Sequence, residues 1–179
     1  MTQAALSREL VERFEAAARA AFATVERVPA SGTALASAVT RAGSGRIAVS
    51  EPLDLPRELF FQLHTLPGVV TGRSKQDLAT CDVGITDAFA GVARTGSVCV
   101  TVDHEYAGAI SLLSRLHVAV LLAETIVERP ADLFNPACLD GKGLKRNFVF
   151  ITGPSATADM GPLVRGVHGP HKLHVILLE

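Results

Sequence analysis

The sequence predicts an α/β fold, a mostly parallel sheet flanked by helices, and two observations carry that prediction. Residues 117–123 (HVAVLLA), 147–152 (NFVFIT) and 173–178 (LHVILL) are near-continuous apolar runs, the pattern of strands buried on both faces beneath helices. Segments with helical periodicity lie before and between them, so helices and strands interleave along the chain. At 179 residues, 48% hydrophobic and 20% charged, the chain has the size and composition of a single domain over residues 1–179.

In chain order, Ser7 is placed to cap a helix over about residues 7–25. Leu10, Phe14, Ala17, Ala21 and Val25 recur there at three- and four-residue steps. Pro29, Ser31 and Gly32 end it. A second helix is expected over residues 33–41, stopping at Gly43, then a short strand over residues 46–50. Residues 56–63 read as a helix with Pro56 in its first turn. Val69 and Val70 read as a short strand, and Ser74 as the cap of a helix over residues 75–80. Residues 83–86 and 97–102 read as strands, and residues 87–96 as either an extended arm or a helical turn. Residues 107–115 read as a helix. Residues 128–146, with Pro130, Asn135, Pro136, Gly141 and Gly143, read as a long surface connection.

Composition removes several function classes. The formal net charge is −1 and the basic residues are scattered, so nothing draws the chain to nucleic acid or an anionic membrane. No apolar run approaches the roughly 20 residues of a membrane span. Arg8, Glu9, Glu12, Arg13, Glu15 and Arg19 interrupt residues 1–25, unlike a secretory leader. Cys81, Cys99 and Cys138 are widely spaced with no CxxC pair. Reduced thiols, buried as small apolar groups in a cytoplasmic protein, are the expectation. A metal or iron–sulfur site within this chain is not expected, because such sites need clustered ligands. The GxGxxG, GxSxG and HExxH patterns are missing, so no cofactor is expected either.

Three stretches can carry chemistry. In the first, Gly153, Pro154, Ser155, Thr157 and Asp159 follow an apolar run directly. Backbone N–H groups and hydroxyls in such a loop can hold a small anion, or the loop is an ordinary strand-to-helix turn with a polar cap. In the second, Gly166, Gly169 and Pro170 hold His168 on a tight turn before the last run. That ring is either an acid, base or anion partner, or a structural group bonded to the loop. His171 and His174 lie nearby without a carboxylate. In the third, Asp82 and Asp87 are candidate acids, and Arg94, Thr95, Gly96 and Ser97 follow. Arg94 can clamp a carboxylate or be a plain surface charge. Loops beyond the carboxyl ends of strands are the expected ligand positions. The first two loops are expected to meet in one pocket at a strand-end edge of the sheet.

Taken together, the runs DVGITDAFAGVARTGSVCV (from Asp82), ITGPSATADM (from Ile151) and GVHGPHKLHVIL (from Gly166) resemble the signature segments of the lactate-utilization (LUD) domain family. The resemblance implies a fold similar to the sugar-phosphate isomerase and CoA-transferase-like proteins. It also implies a role in bacterial conversion of L-lactate to pyruvate beside iron–sulfur partner proteins, which would then hold the clusters. An accessory subunit of that system is one expectation. An independent enzyme or binding protein for a phosphate- or CoA-bearing small molecule is the other. The chain departs from the family pattern at Arg94, where an acid is usual, at Ala156, where Arg is usual, and at Met160 and Gly161, where Ile and Glu are usual.

Overall fold

The computed structural model describes residues 3–72, 74–102, 106–135, 147–159 and 161–179. Helix α1 (Gln3–Ala20) leads into strand β1 (Thr24–Val28), then α2 (Gly32–Ala42) and β2 (Ile47–Val49). Two short helices, α3 (Arg57–Phe60) and α4 (Lys75–Ala79), precede β3 (Val83–Asp87), β4 (Ala90–Val92) and β5 (Ser97–Thr101). Helix α5 (Ala107–Leu113), β6 (Leu116–Leu122) and β7 (Ile126–Val127) follow. The chain then gives β8 (Phe148–Ile151), the hairpin β9 (Ala156–Thr157) and β10 (Val164–Arg165), and finally β11 (Lys172–Leu178).

The main sheet has the order β1-β11-β6-β3-β2, and every neighbouring pair in it is parallel. Its strands β6 and β11 are two of the apolar runs, and their alternate residues serve two cores. Val118 and Val120 of β6 with Ile176 and Leu178 of β11 pack against Leu35, Ala38 and Val39 of α2. Ala119 and Leu121 with Val175 and Leu177 face the other way, onto Phe14 and Ala18 of α1 and Val98 and Val100 of β5. A strand covered by one layer on each side has apolar residues at both parities, which is why these runs show no alternation. The mostly parallel α/β expectation is met.

Helix α2 starts where Ser31 accepts a hydrogen bond from the Ala34 N–H, and α4 carries a full capping box between Ser74 and Asp77. Val69 forms an isolated parallel bridge with Ile47. Residues 136–146, most of the expected long connection, and Cys138 lie outside the described residues.

Two expectations need correction. The first helix begins at Gln3 and ends at Ala20, so Ser7 sits within it rather than capping it, and residues 24–28 form edge strand β1 beside β11. Val25 continues the helical spacing by coincidence. The turn is made at Phe22, whose φ of 67° places a non-glycine residue in the left-handed region, with the Arg165 guanidinium 3.9 Å above its ring.

The run over residues 147–152 is also not in the parallel sheet. As β8 it is the edge of a second sheet, order β7-β4-β5-β8, and runs antiparallel to β5. Val149 and Phe150 remain exposed. Its apolar character serves an aromatic stack instead, with Phe148 in edge-on contact with Phe89 at 5.1 Å and Phe150 at 5.4 Å.

Candidate functional site

The Gly153–Pro154–Ser155 and His168–Gly169–Pro170 turns meet. The Ser155 N–H donates to the Pro170 carbonyl at 3.0 Å, and the Gly166 N–H donates to the Ser155 carbonyl at 2.8 Å. These turns close one side of a cleft of about 300 Å³. Val102, Leu112, Val149, Phe150, Ile151 and Leu173 give it apolar walls, while Ser111, His117, Thr152, Ser155 and His168 add polar groups. Among the described residues lining it there is no Lys, Arg, Asp or Glu.

The cleft lies between the two sheets, at the amino ends of β6 and β11, where His117 and Leu173 are register partners. The expectation of a site beyond carboxyl ends therefore fails for the His168 turn, which enters its strand rather than leaving one. The two loops meet because β8 belongs to the second sheet and brings its end over the start of β11. At the carboxyl ends of β1, β6 and β11 a wider hollow is lined by Arg8, Arg27, Glu124 and Glu179. Its cations are taken, Arg8 by Glu12 at 3.1 Å and Arg27 by Glu15 at 2.6 Å.

His117 is the residue that sequence reasoning missed. It stands inside an apolar run, is fully buried, and lines the cleft. Its Nε2 lies 2.9 Å from Thr86 Oγ1 on β3, and its Nδ1 has no hydrogen-bond partner. Burial pushes its pKa down to about 4, so the ring is neutral at physiological pH. A neutral imidazole holds one donor and one acceptor. If Thr86 donates to Nε2, Nδ1 presents an N–H; if Thr86 accepts, Nδ1 presents a lone pair. The signal in sequence was a single polar residue within a both-faces-buried strand, where an unpaired polar group is costly.

The other sequence candidates are distributed. Thr157 lies on β9 and, with Asp159, falls outside the cleft; the Asp159 N–H reaches Thr157 Oγ1 at 3.4 Å. Arg94 is exposed, and its N–H donates to the Glu128 carbonyl at 3.0 Å. Thr95, Gly96 and Ser97 also lie outside the cleft but connect to it. Ser97 Oγ sits 2.7 Å from Thr95 Oγ1 and 2.7 Å from Thr152 Oγ1, and Thr152 lines the cleft. Gly96 and Gly153, at φ 65° and 69°, both press against the end of α1. A Cβ at Gly96 would meet the Ala18 nitrogen at 2.2 Å, and one at Gly153 the Ala21 carbonyl oxygen at 2.0 Å.

Neither candidate acid faces the cleft. Asp82 accepts from the Arg46 N–H at 3.0 Å. Asp87 Oδ2 accepts from the N–H groups of Leu53, Asp54 and Leu55 at 2.8, 2.6 and 3.2 Å, tying that loop to the end of β3. Burial raises the Asp87 pKa, against the lowering effect of those N–H groups. His174 bonds Thr24 Oγ1 through Nδ1 at 2.7 Å and has Glu26 3.7 Å from Nε2. Burial lowers its pKa, with Glu26 opposing. Among the described residues no three His, Cys, Asp or Glu side chains gather as metal ligands, and no helix is long and apolar enough to cross a membrane.

Comparison with known proteins places this geometry. Lactate utilization protein C of Oceanobacillus iheyensis is 31% identical over 113 residues, 60% of this chain and 48% of that protein. The protein of the same name from Shouchella clausii is 34% identical over 110 residues, again 60% and 48%. That from Bacillus licheniformis is 26% identical over 150 residues, 72% and 62%. The chain thus spans about half the length of the first two of these curated relatives. The crystal structure of a DUF162 family protein from Deinococcus radiodurans superposes with a TM-score of 0.70 at 20% identity, covering 97% of this chain and 98% of that one, and so has the same fold. A family model described as the LUD domain matches residues 21–178, a span that takes in both sheets and every wall of the cleft, and the chain belongs to the LUD domain family.

Proposed function

We propose that this chain takes part in bacterial lactate utilization as a non-redox accessory subunit. In this reading it binds a ligand in the cleft between its two sheets and works beside iron–sulfur partner proteins. The observation that carries the ligand-binding part is His117: a buried ring with one nitrogen engaged by Thr86 and the other unpartnered, set in the wall of a cleft. A buried polar atom without a partner costs stability unless something else supplies one. Membership in the LUD family and the names of the relatives support the metabolic setting.

Redox centres are assigned to partners because the cysteines among the described residues, Cys81 and Cys99, sit in separate apolar clusters. Burial raises both thiol pKa values, that of Cys99 to about 12, which opposes the thiolate form that ligation requires. Free, buried thiols are also in keeping with a cytoplasmic setting.

The test is genetic and biochemical. Deleting the gene should impair growth on L-lactate as sole carbon source and leave growth on glucose intact. Tagged protein should retain brown iron–sulfur proteins from cells grown on lactate. Normal growth of the deletion strain on lactate would overturn the metabolic reading, and a tagged protein that retains none of them would remove the partners.

A further inference from the structure

We propose that the cleft selects an uncharged, ring-sized apolar molecule bearing one hydrogen-bonding oxygen, of the chemical class of phenols and quinones, and not lactate or a phosphate. This deepens the ligand-binding part of the proposed function and rests on it.

Three observations define the class. The first is the wall. Val102, Leu112, Val149, Phe150, Ile151 and Leu173 are apolar, and none of the described lining residues is a Lys, Arg, Asp or Glu. Against the described walls a carboxylate or phosphate loses its hydration with no Lys or Arg to replace it, which is strongly unfavourable. The Ser155 N–H, the natural donor of an anion-binding turn, is already held by the Pro170 carbonyl.

The second is size. A volume of about 300 Å³ is at the lower bound for drug-sized ligand sites. A three-carbon acid leaves most of that apolar wall uncovered, whereas a bicyclic aromatic covers it.

The third is an unpartnered polar atom in the wall. His117 is entirely buried, its Nε2 is taken by Thr86, and Nδ1 is the nitrogen left over. A ligand hydroxyl that reaches that nitrogen would satisfy it in either tautomer, as donor or acceptor, and a carbonyl would do so when Nδ1 carries the proton. Because the ring is neutral, the contact is directional rather than ionic and matches an uncharged oxygen.

The chain has no Trp and one Tyr, so the emission of a naphthol probe can be read with little background. Four probes compared on the intact protein decide the matter: 2-naphthol, naphthalene, 2-naphthoate and inorganic phosphate. The expected order places 2-naphthol first, about tenfold tighter than naphthalene for one hydrogen bond to a buried partner, with 2-naphthoate and phosphate weakest. Gly108 lines the cleft from α5, and a Cβ there makes ordinary contact with Val102 at 3.4 Å. Gly108→Leu should therefore fold and abolish binding of both naphthalene compounds. His117→Leu should erase the preference of 2-naphthol over naphthalene.

Tighter binding of 2-naphthoate or phosphate than of 2-naphthol overturns the proposal, as does binding unaffected by Gly108→Leu. Should His117→Leu not fold, the order of the four probes on the unaltered protein and the Gly108→Leu result still decide. A defect in growth on lactate together with the wrong probe order would leave the metabolic reading standing and remove this one. The correct probe order with normal growth would do the reverse.

Discussion

Thr86 Oγ1 and His117 Nε2 lie 2.9 Å apart in the interior, joining neighbouring strands β3 and β6 behind the cleft wall. Both side chains are fully buried, so each depends on the other for its hydrogen bonding. Thr86→Val keeps the shape and removes the hydroxyl, leaving both ring nitrogens unpartnered. The expected loss is about 1–3 kcal/mol for one stranded buried group, measured as a lower urea midpoint at unchanged slope. Unaltered stability would show that water already serves Nε2.

The same burial sets a pH dependence. Unfolded, the His117 imidazole takes a proton near pH 6.5; folded, it does so only near 4. Between those values the unfolded state binds more protons, so stability falls as pH falls from 6.5 to 4 and is fully present above 6.5. The total is about 3 kcal/mol from this group. The lowered pKa of His174 acts in the same direction. Urea titrations of His117→Gln against the unaltered protein should show a flatter profile across that window. Parallel profiles would assign the acid sensitivity to other groups.

How much of this was legible in the sequence follows from where each partner sits. The middle strands could be read because burial on both faces leaves a mark within seven consecutive residues. Strand β1 could not, because Val25 falls on the helical spacing and the break is a left-handed Phe22 rather than a glycine or proline. Strand β8 was misplaced because an apolar run reports only that apolar contacts exist. Here they are aromatic contacts on an edge strand. The Gly-Pro turns around the cleft were visible as turns. His117 was not visible as a site residue, since its partner Thr86 lies 31 positions away and only folding shows which of its nitrogens is left over.

Asp87 is expected to be structural. Asp87→Ala strands the N–H groups of Leu53, Asp54 and Leu55, for an expected cost of about 1–3 kcal/mol or more. Asp87→Asn keeps an oxygen acceptor and should cost less, because it also removes a charge that burial disfavours. Proteolysis of the 51–55 loop should accelerate in the Ala variant alone. Equal sensitivity of the two variants would mean that the charge itself is required.

Gly153 joins the cleft to α1. Its φ is 69°, and a Cβ at this position would lie 2.0 Å from the Ala21 carbonyl oxygen, so there is no room for a side chain. Gly153→Ala should displace either the end of α1 or the cleft rim. Left-handed strain alone accounts for about 1–3 kcal/mol, so the melting temperature should fall and 2-naphthol affinity with it. A lower melting temperature with unchanged affinity would show that α1 moves and the rim does not.

Arg94 gives the last prediction, because it tests whether the third sequence motif belongs to the same site. The residue is exposed and outside the cleft, yet its turn reaches the cleft wall through the hydroxyls of Thr95, Ser97 and Thr152, each step 2.7 Å. Two routes from this turn to the ligand therefore make different demands. If the charge matters, Arg94→Glu changes 2-naphthol binding, because it reverses the sign at one end of the turn. If only the hydroxyl chain matters, Ser97→Ala changes binding and Arg94→Glu does not. The structure favours the second. An exposed charge is screened within about 8–10 Å at physiological salt, whereas Ser97 is buried and its loss takes one of the hydroxyl partners from Thr152. The expected result is unchanged folding and unchanged probe affinity for Arg94→Glu, and a modest loss of affinity for Ser97→Ala. The double variant should equal Ser97→Ala alone, since independent sites add. A shift in probe affinity with Arg94→Glu would bring the turn into the ligand site. A growth defect on lactate without that shift would assign Arg94 to a partner surface instead.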